Sequence, residues 1–162
     1  MIRPNEILPG EHIDLSGRCL QLATLDAQEA ALVQELKARA ATGPDWNDYS
    51  NFWMAKVGDF YKARGLTRKE TIGTIPYRIG QDLCSRIGIK AGLMRPSDYR
   101  DELEGLIRTK FRTRREFCEA TGLAEDMLSH VLAKRKHLAV DTLAEALAKI
   151  GYTLHIVPRT EV

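Results

Sequence analysis

The residues of this chain that could do covalent or metal chemistry are few and poorly spaced for it. Its three cysteines and four histidines form no C-x-x-C pair and no metal-ligand spacing with one another or with carboxylates. The glycine motifs that cradle phosphates and the G-x-S-x-G motif of serine hydrolases do not occur. We therefore expect neither an enzyme nor a protein that holds a metal or another cofactor. The residues concerned are Cys19, Cys84, Cys118, His12, His130, His137 and His155.

The composition is that of an ordinary soluble protein. With 162 residues, 44% of them hydrophobic and 28% charged, the chain can build one large domain or two small ones. The separated cysteines predict reduced thiols and a cytoplasmic protein, and no stretch resembles a transmembrane helix, so no membrane partner is expected. A net charge of +2 is too small to indicate a nucleic-acid partner by itself.

Cationic side chains are instead concentrated in the C-terminal half. Five basic residues and no acid occur between Arg108 and Arg115, and Lys134, Arg135 and Lys136 follow one another. Arginine and lysine grouped in this way can neutralise phosphates, but a basic run alone is as often a solvated surface. The stretch between the two groups is therefore the informative part.

That stretch, residues 113–136, has the pattern of two short helices joined by a tight turn. Thr113 and Glu116 match the S/T-x-x-E capping box, which predicts the start of a helix. Gly122 is placed to end this helix in a left-handed conformation that costs glycine little. A second helix is predicted from about Ala124. The side chains predicted to face inward are Phe117, Cys118, Leu123, Leu128, Val131 and Leu132.

At these residues the chain resembles the lambda-repressor-like (Cro/CI-type, XRE) helix-turn-helix family. The resemblance covers residues 96–157 and departs from the family pattern at Thr121, Ala124 and the pair Ala133-Lys134. The matching positions are Thr113, Glu116, Phe117, Cys118, Gly122, Leu123, Leu128, Ser129, Val131, Arg135, Val140, Thr142, Leu143, Ala146, Leu147, Ile150 and Gly151.

The resemblance implies that the second motif helix enters the major groove of double-stranded DNA. By register with the family, the base-reading residues are Glu125, Asp126, Ser129 and His130. The phosphate contacts are Arg114, Lys134, Arg135 and Lys136. The two carboxylates either accept hydrogen bonds from cytosine amino groups or only stabilise the N-terminus of their helix, and both alternatives stay open.

Residues 1–94 carry no functional motif and are predicted to form a helical accessory or oligomerisation region. An extended arm over residues 1–12 and a small hairpin over residues 12–23 are followed by helices over 27–41, 45–64 and 67–91. Pro76 should kink or split the last helix. The apolar spacing of that helix places Ile72 on its inward face. The stripe of Trp46, Tyr49, Trp53, Val57 and Phe60 fits a buried face better than a surface for stacking bases.

The second domain, residues 95–162, is predicted to begin with a helix over 98–109 that Ser97 caps and to end with a helix over 140–150. The alternating segment after Gly151 predicts a terminal β-strand with Tyr152, Leu154 and Ile156 on one face. A strand needs a neighbour, so we expect it to pair with the early hairpin or with the same strand of a second subunit. Antitoxins with a helix-turn-helix are similar in having such a dimer strand.

These features predict a mainly α protein with an N-terminal helical bundle and a lambda-repressor-like domain. The leading interpretation is a prokaryotic transcriptional regulator that binds a two-fold-symmetric DNA site as a homodimer. One alternative is an antitoxin-like regulator that binds a toxin through residues 1–94. Another is a protein-interaction module that keeps the fold but no longer binds DNA.

Overall fold

Helices make up most of the chain in the computed structural model, which describes residues 10–156. The prediction of a mainly α protein with a small N-terminal hairpin is confirmed. Residues 1–9 of the arm predicted over residues 1–12 lie outside the described residues. Of the described residues, 10–95 form one compact unit and 96–156 a second. The elements are β1 (Glu11–Ile13), β2 (Cys19–Gln21), a 3-10 helix (Leu22–Thr24), α1 (Ala27–Ala41), α2 (Trp46–Ala63), α3 (Arg68–Ile72), α4 (Ile75–Lys90), α5 (Tyr99–Lys110), α6 (Arg114–Thr121), α7 (Glu125–Leu132) and α8 (Val140–Lys149).

The antiparallel hairpin β1–β2 owes its turn to Asp14 and Gly17. Gly17 has a positive φ of 76°, which glycine adopts without strain. The Asp14 carboxylate accepts hydrogen bonds from the backbone N–H groups of Ser16 and Arg18, both at 2.9 Å. A two-stranded hairpin is only marginally stable in water, so this one needs support from the rest of its unit.

Asp82 on α4 provides that support. Its carboxylate, almost fully buried, accepts hydrogen bonds from His12 Nε2 and from the Leu15 N–H, both at 2.8 Å. Arg86, one turn further along α4, donates to Asp82 at 2.8 Å and to the Ile13 carbonyl at 2.9 Å. Burial opposes ionisation of Asp82, but the hydrogen bonds from His12, Arg86 and Leu15 outweigh it and lower the pKa of this carboxyl.

Helices α1, α2 and α4 enclose the main core of the first unit, and the aromatic stripe of α2 points into it as predicted. Two glycines of α4 let the helices approach closely. A Cβ on Gly80 would come within 2.5 Å of the Trp53 ring, and one on Gly88 within 3.0 Å of the Trp46 ring. The buried residues of this core are Leu32, Leu36, Tyr49, Trp53, Val57, Tyr61 and Cys84.

The helix predicted over residues 67–91 is split, as the proline indicated. Thr67 opens the five-residue α3 with a capping box, and Thr74 caps α4. Pro76 lies in the first turn of α4, where its missing N–H has no intrahelical partner to lose. The expectation that Ile72 faces inward is wrong: it is 47% exposed, because α3 packs through Thr71 instead.

Helices α5 to α8 surround the core of the second unit. The cap of α5 is Asp98 rather than Ser97. The Asp98 carboxylate accepts from the Arg100 N–H at 2.8 Å, and Asp101 accepts from the Asp98 N–H at 2.9 Å. Asp98 therefore completes a reciprocal pair of cap hydrogen bonds, which displaces the predicted start by one residue. The buried residues of this core are Leu103, Ile107, Phe117, Cys118, Leu128, Val131, Leu138, Leu143 and Leu147.

The terminal strand predicted after Gly151 does not form in residues 152–156, and the last part of that segment lies outside the described residues. Tyr152 and Leu154 are about two-fifths exposed and Ile156 is fully exposed. No described segment of the chain pairs with them, and an unpaired strand cannot satisfy its backbone N–H and C=O groups. The prediction of a terminal strand is therefore wrong for residues 152–156 of the single chain. Pairing of this segment with a second subunit stays a prediction.

Candidate nucleic-acid interface

Two short helices, α6 and α7, hold most of the residues predicted to contact DNA. Helix α6 begins at Arg114 as predicted, because Thr113 Oγ1 accepts a hydrogen bond from the Glu116 N–H at 3.1 Å. Only half of the predicted capping box forms. The Glu116 carboxylate accepts instead from the N–H of Arg112 at 2.9 Å, one residue before Thr113.

The turn between the helices depends on Gly122, whose φ is +78° and whose N–H donates to the Cys118 carbonyl at 2.8 Å. Thr121, at a position where the family has an apolar residue, is buried without losing a hydrogen bond. Its hydroxyl donates to the Phe117 carbonyl at 2.8 Å. The ammonium group of Lys149 donates to the Thr121 carbonyl at 3.1 Å, so α8 closes the open end of α6.

Helix α7 has a buried face and an exposed face. Leu128 and Val131 are at most 1% exposed and fix the helix to the core. Of the predicted base-reading residues, Glu125, Asp126 and Ser129 are exposed and His130 is half-buried. Ala124 supplies no side-chain cap, so the two carboxylates of the first turn lie at the uncapped positive end of the helix dipole.

Lys134 lies apart from the other predicted phosphate contacts. It is the residue after the C-cap of α7 and has a left-handed backbone, with φ of 62°. Its ammonium group lies 3.3 Å from Asp98 and 3.1 Å from Asp101 at the start of α5. Arg100 first, and then Lys134, lower the pKa of Asp98. The Lys134 charge is therefore already matched within its own unit.

Arg114 and Arg115 form ion pairs on the surface. Arg114 lies 2.8 Å from Glu104 on α5. Arg115 lies 3.1 Å from Glu119 on its own helix and 3.8 Å from Glu125 at the start of α7. All five side chains are about half exposed or more, so solvent and salt weaken these pairs.

The remaining cations at this surface have no ion pair within residues 10–156. Arg135 and Lys136, which the family register predicted, are exposed just after α7. Arg108, Lys110 and Arg112 are also exposed, before α6, and the sequence reasoning did not name them as contacts. The run of basic residues from Arg108 to Arg115 is the sequence feature that could have indicated them. Arg108, Arg112 and Arg114 line a surface depression of about 240 Å³, with Glu104 as its acidic residue.

Cys118, the cysteine of α6, is buried. Burial, reinforced by the nearby Glu125 carboxylate, raises the pKa of the Cys118 thiol. No group of three or more His, Cys, Asp and Glu side chains within residues 10–156 is arranged to hold a metal ion. The groups that this surface can offer to a partner include guanidinium, ammonium, hydroxyl, imidazole and carboxylate groups, which act by hydrogen bonding and charge.

Comparisons of the chain with protein-family models, curated proteins and solved structures gave no significant match. The helices described between residues 10 and 156 include none with the length and apolar character needed to cross a bilayer.

Proposed function

We propose that the chain is a sequence-specific DNA-binding regulator of the lambda-repressor-like helix-turn-helix kind, acting as a homodimer on a two-fold-symmetric site. The observation that carries this proposal is the exposed face of α7 together with the cations that flank it. These cations lie before α6 and after α7 and have no ion pair in the described residues. A helix fixed on one face and exposed on the other is what major-groove recognition requires.

The cations divide into two groups with different roles in this proposal. Arg135 and Lys136, together with the basic run before α6, supply phosphate contacts, because nothing within the described residues neutralises them. Arg114 joins them by exchanging Glu104 for a phosphate, since an exposed ion pair is worth only about 0–1 kcal/mol. Lys134 is not one of the proposed phosphate contacts, because its ammonium group forms ion pairs with Asp98 and Asp101.

The two acids at the start of α7 are not equivalent. Glu125 lies 3.8 Å from Arg115, so its charge is partly neutralised. Asp126 is exposed and has no ion pair in the part of the chain that the structure describes. Asp126 is therefore the stronger acceptor for a cytosine amino group, and its charge weakens attraction to any DNA while it selects one base.

A protein-interaction module is the second candidate, and a specific feature favours it. Met127, between the two acids and the rest of the exposed face, is 40% exposed. A methionine beside two carboxylates suits a partner protein with apolar and basic groups better than it suits a phosphate backbone. In this alternative α7 contacts protein and the flanking cations only keep the surface solvated.

Selection of binding sites from random duplexes tests the proposal. The full chain should enrich a two-fold-symmetric sequence. Asp126→Ala should bind non-specific DNA more tightly while discrimination at one base pair per half-site falls by roughly 1–3 kcal/mol. Asp141→Ala is the matched control, because Asp141 is an exposed acid in the first turn of α8. It should leave the selected sequence unchanged. Failure of the wild-type chain to enrich any sequence would favour the interaction module.

A further inference from the structure

A surface cavity of about 440 Å³ opens in the first unit, beside α2, α3 and α4. This volume is within the range of roughly 300–1,000 Å³ that is usual for sites of small molecules. Met54, Leu66 and Tyr77 give the cavity apolar surface. The Tyr77 ring packs edge-on against the buried Trp53 with centroids 5.0 Å apart, so this wall is fixed by the core.

Gly58, in the middle of α2, lines the same cavity and has no evident structural reason to be glycine. Its α-helical position does not require a positive φ, and a Cβ there would meet nothing within 4 Å. Glycine inside a helix is less stable than alanine, and at this position its missing side chain leaves the wall of the cavity open. Gly80 and Gly88 differ, because tryptophan rings occupy the space beside them.

Three charged side chains line the cavity without an ion pair in residues 10–156. They are Lys62 and Arg68, which are cationic, and Asp59, which is anionic. The lining thus carries an excess of one positive charge beside its apolar surface. Charge complementarity points to an occupant with one negative charge, and the Asp59 carboxylate would repel a second.

We propose that this cavity binds a small organic monoanion with an apolar body, such as an aryl or alkyl carboxylate. The apolar body lies over Gly58 against Met54, Leu66 and Tyr77, and the anionic group lies between Lys62 and Arg68. This site belongs to the first unit alone and does not depend on the DNA-binding proposal.

Calorimetric titration of the full chain with phenylbutyrate and with the neutral phenylbutanol tests the proposal. The carboxylate should bind about tenfold more tightly than the alcohol, because it gains charge-assisted hydrogen bonds. The double variant Lys62→Gln, Arg68→Gln should remove this preference. Asp59→Asn should strengthen carboxylate binding and leave alcohol binding unchanged. These residues are exposed, so their variants should fold as the wild type does.

Gly58→Leu places a side chain in the cavity and should abolish binding of both compounds. Gly105→Leu is its matched control, because Gly105 is also inside a helix with nothing within 4 Å of a Cβ, but lies in the second unit. It should bind as the wild type does. The proposal is overturned if neither compound binds, if the alcohol binds as tightly as the carboxylate, or if the charge variants leave the preference unchanged.

Discussion

Lys134 shows at a single residue how the structure separates cations that the sequence groups together. Lys134, Arg135 and Lys136 are consecutive, and the family register assigns all three to phosphate. The left-handed backbone after α7 turns the Lys134 side chain to Asp98 and Asp101, while its two neighbours stay exposed. Sequence spacing could not predict this, because it depends on where the start of α5 lies in three dimensions.

The backbone of Lys134 leads to a prediction about stability. A non-glycine residue at positive φ costs about 1 kcal/mol, and glycine relieves this cost. Lys134→Ala and Lys134→Gly both lose the ion pairs with Asp98 and Asp101, but only the glycine variant relieves the strain. We expect Lys134→Gly to be more stable than Lys134→Ala by about 1 kcal/mol in urea unfolding followed by circular dichroism. Equal stability of the two variants would show that the position is not strained.

Asp82 connects two elements that are far apart in the sequence. The hairpin β1–β2 is too small to be stable alone, and the Asp82 carboxylate holds it against α4 through His12 and the Leu15 N–H. Because the folded-state pKa of Asp82 is lowered, the stability that its charge contributes is complete above the unfolded-state pKa of about 4. It is lost as the pH falls through the folded value.

We therefore expect Asp82→Asn to lower the free energy of unfolding by roughly 1–3 kcal/mol at neutral pH. The difference from wild type should begin to shrink below about pH 4, where Asp82 of the unfolded chain is protonated first, and should disappear once the pH passes the lowered folded-state pKa. Trp46 and Trp53 both lie in the first unit, so tryptophan fluorescence during urea unfolding reports on it. The exposed Asp141→Asn should change little. A wild-type-like Asp82→Asn would mean that the carboxylate does not hold the hairpin.

The elements were predictable where local chemistry decides them. Asp26 and Gly122 mark helix ends in the sequence, and the structure places ends there with the expected cap hydrogen bond and positive φ. Ser97 failed as a cap because the next residue, Asp98, finds a reciprocal partner in Asp101. The inward position of Ile72 failed because α3 is too short to keep the periodicity of a long helix.

At the scale of the whole chain, sequence patterns predicted the helical composition but not the partners of exposed groups. The alternation of Tyr152, Leu154 and Ile156 is a strand pattern, yet a strand forms only where a neighbour supplies hydrogen bonds. Likewise, the pairing of Arg115 with Glu119 and Glu125 could not be inferred from a run of basic residues. Contacts made in the folded chain decide whether the strand forms and which acids pair with Arg115. Local sequence patterns do not specify such contacts.

The charge distribution of the chain also constrains the DNA binding that we propose. The net charge is only +2, so attraction to DNA must come from a local group of cations rather than from the protein as a whole. In the proposed function Arg135 and Lys136 belong to this group, whereas Lys134 is paired with Asp98 and Asp101. Each phosphate contact releases counterions, which makes the affinity for DNA dependent on salt.

The most direct test of the central claim is the salt dependence of DNA binding, measured by fluorescence anisotropy on a labelled duplex. Arg135→Ala should weaken binding to all sequences and flatten the slope of log affinity against log salt by roughly 0.9. Lys134→Gly, which removes a cation held by carboxylates, should leave that slope unchanged. If Arg135→Ala stays folded and changes neither the affinity nor the slope, α7 and its flanking cations do not bind DNA.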